Sequence, residues 1–177
     1  LLEKGIREFP NEWRFHFQVA YIYSAYLHQF KKAGDHLSAA ADLPGAPSYM
    51  RSLATRMYAS SGDLKTAEEM AQRLLEETRD PKERGILRRR FYELRSATVA
   101  KLLTKAAASY KDAHGEFPAS LAALQAAGTQ VPPEPLGGKW EYDPHNGKVS
   151  SSVLKDRLTI FIHPARDQSH SSGKPHP

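Results

Sequence analysis

Eight histidines in a chain of 177 residues make metal ligation the first chemistry to consider. A helical zinc site of the protease kind needs two histidines one turn apart with a glutamate beside them. No histidine pair has that spacing. His163, His170 and His176 lie in or beside the C-terminal tail. His16 and His28 read as packing or rim residues. There is no cysteine, which removes disulfides, thiolate zinc and cysteine nucleophiles and leaves both cytoplasm and cell envelope open as compartments. Serine, histidine and aspartate are present, but neither a G-x-S-x-G elbow nor a glycine-rich phosphate loop accompanies them. Asp143 and His145 form a turn pair in which the aspartate bonds the local backbone. The expectation is a protein that is not an enzyme and holds no metal and no cofactor.

The charge is more informative. Residues 1–110 carry 18 Lys and Arg against 13 Asp and Glu, whereas residues 111–177 carry 7 of each. The excess centres on Arg84, Arg88, Arg89, Arg90 and Arg95, with Arg84, Arg88 and Arg95 near one face of a helix. Such a basic stripe suits nucleic acid or an anionic surface; equally, it is the solvated face of a soluble helix.

The elements behind these residues show a period. Ala20 and Ala54, Ala33 and Ala67, and Pro10 and Pro44 are each 34 residues apart, and Leu37 and Ala40 align with Ala71 and Leu74. Each unit reads helix, tight turn, helix. Gly62 ends one helix in the left-handed conformation and Asp63 caps the next. The alanines let paired helices approach, and larger side chains such as Leu37 fill around them. This pattern resembles the tetratricopeptide repeat over about residues 14–81, with Tyr21 and Thr55 where that family favours a small residue. In the same register LLEKGIREFPN falls on the second helix of an earlier unit. The chain is therefore expected to be a fragment, with further repeats, a signal sequence or a membrane anchor upstream. Within it no apolar run reaches the roughly 18 residues that cross a membrane.

From Glu83 to about Ala113 one long helix is expected, starting near Asp80-Pro81, with Leu87, Phe91, Leu94, Thr98, Leu102, Ala106 and Tyr110 as a single apolar stripe. Its first half would cap the repeats. Gly115 ends it, Pro118 and Ser120 begin a short helix, and Leu121 and Leu124 point back onto the long one. KWEY and KVSS around Asp143–Gly147 predict a hairpin, with Trp140 and Tyr142 on one face covering Tyr110 and Phe117. Residues 157–164 read as a third strand and 165–177 as a disordered tail.

The residues Leu103, Tyr110, Gly115, Phe117, Pro118, Ser120, Leu121 and Leu124, followed by Pro135, Gly137, Gly138, Trp140, Tyr142, Asp143, Pro144, Gly147, Val149 and Ser151, resemble the soluble region of type IV pilin-like proteins and type II secretion pseudopilins over about 97–152. The hydrophobic membrane helix of those families is replaced here by the arginine-rich segment, and the acidic ligands of their calcium loop are not visible. The resemblance implies a pilin-like head on a helical scaffold, not a conventional filament subunit.

The expected fold is mainly α: a repeat-like array over 1–95, a small α+β module over 96–164 and a tail. In the repeat register the groove residues are Phe15, Gln18, Ile22 and Tyr26 of the first unit, and Tyr49, Ser52, Arg56 and Ser60 of the second. They either bind a partner or pack against other parts of the protein. The function expected is a scaffold or adaptor for protein–protein interaction in assembling a pilus, secretion system or other surface filament, at the bacterial envelope or outside the cell, with the cytoplasm as the other possibility. Two further readings are a basic helical module for nucleic acid or an anionic surface, and a structural subunit of an extracellular filament.

Overall fold

The computed structural model describes residues 1–154. The expected third strand at 157–164, the tail, and His163, His170 and His176 lie outside the described residues. The fold is mainly helical, with a small two-stranded antiparallel sheet at the C-terminal end of the described chain. A short α1 (Leu2–Glu8) leads into two helical hairpins, α2 (Trp13–Ala25) with α3 (Phe30–Ala41) and α4 (Tyr49–Ser60) with α5 (Leu64–Glu77). The long α6 (Pro81–His114) follows, then α7 (Leu121–Ala126), β1 (Trp140–Asp143) and β2 (Lys148–Ser151).

The hairpins form where the local chemistry dictates. Gly62 adopts φ +79° at the end of α4, and the Asp63 side chain accepts from the Thr66 N–H at the start of α5. Ala20, Ala33, Ala54 and Ala67, the positions related by the 34-residue period, are at most 1% exposed. Small side chains here bring the helix axes together, and Leu37, Met50 and Tyr58 fill the space around the contacts. Tyr58 lies over Gly34, whose missing Cβ would stand 3.2 Å from the ring. The Tyr58 hydroxyl donates to Asp35 Oδ1 at 2.7 Å; burial first, then that bond and the carboxylate charge, push its pKa up.

The helix α6 starts on an Asp80 cap, whose carboxylate accepts from the Lys82 and Glu83 N–H groups. It ends at Gly115 with φ +86°. The single apolar stripe expected along it is not what the structure contains. Leu87 and Leu94 are buried against the hairpins, but Leu102 is 60% exposed, and the second half buries Ser96, Leu103 and Ala107 instead. Ser96 lies two residues past Leu94, a rotation of about 200° at 3.6 residues per turn. The two halves therefore bury opposite faces, because α5 and the C-terminal module lie on opposite sides of the helix.

In the C-terminal module Ser120 caps α7, accepting from the Ala123 N–H. Pro118 precedes that helix instead of opening it, and its carbonyl accepts from the Tyr142 hydroxyl at 2.7 Å. Leu124 is buried, α7 packs on α6, and the β1–β2 hairpin pairs Tyr142 with Val149 and Trp140 with Ser151. Trp140 turns to the loop before it, where its indole N–H donates to the Pro132 carbonyl at 2.7 Å. Phe117 covers Gly147, and Tyr110 stacks on His114 with ring centroids 4.0 Å apart. Gly147 has φ +70°, and a Cβ there would overlap the Phe117 ring. Gly147→Ala is expected to destabilise the protein by about 1–3 kcal/mol, read by chemical denaturation.

The centre of this module is Glu134, a buried carboxylate with four donors. Ser96 Oγ donates to its Oε1 at 2.6 Å and Ser151 Oγ at 3.0 Å. The Leu136 and Gly138 N–H groups donate to Oε2, each at 2.9 Å. One side chain thus joins α6, the preceding loop and β2.

Candidate protein-binding groove

Of the eight groove positions read from the register, Gln18 and Ile22 on α2, Tyr26 just past its end, and Tyr49, Ser52 and Arg56 on α4 are exposed. Phe15 and Ser60 are half-buried. Phe15 stacks on Phe9 with centroids 6.0 Å apart and lies over Gly5 of α1, so its ring serves packing of the N-terminal helix. Tyr26 meets Tyr21 edge-on at 6.0 Å.

The structure adds a third helix to this face. Between α4 and α6 runs a crevice of about 160 Å³, walled by Ser52 and Arg56 on one side and Ile86 and Arg90 on the other, with Leu74 of α5 in its floor. Ser52 and Ile86 are 34 residues apart, as are Arg56 and Arg90, although the alanine that marks the period in α2 and α4 is replaced by the exposed Arg88 in α6. Carrying Ser52 and Arg56 forward by one more period would have found Ile86 and assigned Arg90 to the groove. Large apolar side chains are exposed on each of these helices: Ile22 at 39% on α2 and Tyr26 at 69% just past its end, Tyr49 at 52% on α4, and Ile86 at 68% on α6.

The five arginines of the basic stripe are distributed around α6. Arg95 bonds Glu68 of α5 at 2.8 Å, tying helix to hairpin. Glu93 takes both Arg89 at 3.2 Å and Arg90 at 3.7 Å. Burial, reinforced by the like charge of Arg56 and opposed by Glu93, depresses the Arg90 pKa, and the group stays cationic. Arg84 and Arg88 are exposed, and Arg88 and Arg89 border a separate cleft between α6 and the C-terminal module, near Leu136 and Val153.

His16 turns out to have a partner that the sequence reading did not identify. Its Nδ1 lies 3.1 Å from His36 Nδ1 across the α2–α3 hairpin, and Tyr23 stacks on His36 at 5.6 Å. One ring must donate and the other accept, so the contact exists only while at least one ring is neutral. Burial lowers both pKa values, and His16 lowers that of His36 further; Asp35 of α3 and Glu3 of α1 work the other way, and Lys32 lies over the Tyr23 ring. With folded pKa values below the unfolded one, the pair's contribution is complete above about pH 6.5 and is lost as pH falls through the folded values. The melting temperature is therefore expected to drop as pH falls below about 6.5, and His16→Gln to flatten that slope, in thermal melts at successively lower pH.

Among the described residues, no three metal-ligating side chains come together and no helix is long and apolar enough to cross a membrane. Asp143 Oδ1 accepts from the His145 N–H at 2.9 Å, the local turn bond expected of that pair. Comparison with protein-family models, curated proteins and solved structures finds no match.

Proposed function

We propose that this chain is a non-enzymatic scaffold or adaptor that binds a segment of another protein along the face formed by α2, α4 and the first half of α6. The observation that carries this reading is the exposure of Ile22, Tyr26, Tyr49 and Ile86, which the repeat register assigns to one side of the array, with Ile86 bordering the same crevice as Arg56. Large apolar and aromatic groups held on rigid helices at a fixed period lose little side-chain freedom on binding, and aromatic residues with arginine dominate interface energetics. The repeat period supports a tetratricopeptide-like array. The hairpin module, with the residues that resemble a pilin-like head, directs the partner toward assembly of an envelope or surface structure such as a pilus, secretion system or filament.

A basic helical module for nucleic acid or an anionic surface is the weaker reading, since Arg89, Arg90 and Arg95 already face carboxylates. The two are separated by capture from envelope and soluble fractions at low and moderate salt. Tyr49→Glu combined with Ile22→Glu is expected to lower partner affinity roughly tenfold or more, while Arg84→Glu with Arg88→Glu leaves it unchanged. Retention of nucleic acid alone, lost at moderate salt, would reverse the assignment.

A further inference from the structure

The turn between β1 and β2 carries a chemistry that the groove does not use. The sequence has two asparagines, Asn11 before Glu12 and Asn146 before Gly147. The side-chain carbonyl carbon of an asparagine can be attacked by the backbone nitrogen of the next residue, and a glycine there leaves that nitrogen unhindered by a Cβ. In the folded turn every atom this reaction needs is engaged. The Gly147 N–H, the nucleophile, donates to the Asp143 carbonyl at 2.8 Å. Asn146 Oδ1 accepts from the Lys148 N–H at 2.9 Å, and Asn146 Nδ2, the leaving group, donates to Asp143 Oδ2 at 2.7 Å. Asp143 Oδ1 is held in its turn by the His145 N–H. Gly147 is buried under the Phe117 ring, while Asn146 is exposed. Attack requires the Gly147 nitrogen to lose its proton and swing toward Cγ. The first step would set a negative charge beside the Asp143 carboxylate, and the second would break the bonds that close the hairpin. One contact works the other way, since the Lys148 N–H polarises the Asn146 carbonyl. It has no effect while the nucleophile is tied to Asp143.

We propose that Asn146–Gly147 is a deamidation site that the native hairpin keeps unreactive and that opening of the C-terminal module releases. Once the turn opens, the Gly147 nitrogen gives its proton to solvent base and forms a bond to Asn146 Cγ. The Cγ–Nδ2 bond breaks and ammonia leaves. Water then opens the cyclic imide at either carbonyl. Opening at Cγ gives aspartate; opening at the main-chain carbonyl gives isoaspartate, whose backbone runs through the former side chain and is lengthened. Neither product fits the turn. Aspartate replaces the Nδ2 donor by a charged acceptor facing Asp143. Isoaspartate displaces Gly147, which sits at φ +70° beneath a ring that leaves no room even for a Cβ. The hairpin then fails to reclose, and Ser151, paired with Trp140 across it, leaves the Glu134 network. The turn is thus a one-way record of module opening.

The test is incubation of the full chain at neutral pH, native and in denaturant, with the mass gain of amide-to-acid conversion located in the tryptic peptide 140–148, which Lys139 and Lys148 delimit. Chromatography of that peptide separates isoaspartate from aspartate. Native protein is expected to convert Asn146 at least about tenfold more slowly than unfolded protein, because the bonds above must open first. Asn11, with the bulkier Glu12 after it, is the internal control and should lag Asn146 in denaturant. Asp143→Ala should speed conversion in native buffer about tenfold, and so should Glu134→Ala, which opens the module without touching the turn. Protein held unfolded until Asn146 is converted should refold with a changed Trp140 fluorescence and a lower urea midpoint, whereas protein unfolded only briefly should recover both. Equal rates in native and unfolded protein, or a native rate unchanged by both substitutions, would overturn protection by the turn. Conversion of Asn146 no faster than Asn11 in denaturant would overturn the site itself. Full recovery by the converted protein would overturn the one-way step.

Discussion

Glu134→Ala is expected to destabilise the protein by about 3–5 kcal/mol, because it leaves four donors without their acceptor in a closed site at 1–3 kcal/mol for each buried unsatisfied group, less what water and hydroxyl rotation recover. The donors are Ser96 Oγ, Ser151 Oγ and the Leu136 and Gly138 N–H groups. Chemical denaturation followed by Trp140 fluorescence reports the loss, since the indole is tied to the same loop through Pro132. Glu134→Gln should cost much less, about 1–2 kcal/mol. Its carbonyl can face the two backbone N–H groups, which cannot turn, while its amide faces the two hydroxyls, which can rotate and accept. A loss below about 1 kcal/mol for the alanine variant would show that the network does not hold the module together. The same network governs acid sensitivity. Burial pushes the Glu134 pKa up, but the four donors outweigh it and the net shift is downward. Its contribution is therefore present above the unfolded carboxyl pKa of about 4.3 and is lost as pH falls through the lower folded value.

The second large effect separates two leucines that look alike in the sequence. Leu94→Ala should cost about 3 kcal/mol, as a buried leucine whose truncation leaves a cavity between α5 and α6. Leu102→Ala should cost no more than about 0.5 kcal/mol, since its side chain faces solvent. Both belong to one apparent stripe of apolar residues, and urea denaturation of the two variants decides whether α6 changes its buried face. Equal losses at both positions would restore the single stripe and contradict the opposite-face packing of the C-terminal module.

These cases show where the sequence was legible. The hairpins could be read because alanines at contact positions, a Gly-Asp turn and a 34-residue period are local features with direct physical meaning. The end of α6 at Gly115 and the β1–β2 hairpin were legible for the same reason. The face change along α6 was not, because it depends on where the C-terminal module docks, and a helix with two buried faces has no single apolar side to find. Pro118 looked like a first-turn proline, yet the capping chemistry of Ser120 decided where α7 begins. Glu134 was missed because a lone glutamate in a proline-rich loop carries no pattern; its role appears only when Ser96, 38 residues earlier, and Ser151, 17 later, converge on it. The His16–His36 contact is likewise tertiary. For the groove, six of the eight residues chosen by register are exposed, Phe15 packs on α1, and the second wall of the crevice, Ile86 with Arg90, lies 34 residues beyond Ser52 and Arg56 in a helix that no longer carries the repeat's alanine.

The central claim is that the face of α2, α4 and α6 is where another protein binds. It is tested most directly by placing a photo-crosslinking residue at Ser52, in the wall of the groove, and in a separate protein at Gln72, exposed on α5. Each is exposed to envelope and soluble fractions of the source cell at moderate salt. One discrete protein adduct is expected from position 52, lost when Tyr49→Glu and Ile22→Glu are added, and none from position 72. Adducts of equal yield from both positions, or adducts at 52 that survive those two substitutions, would contradict it.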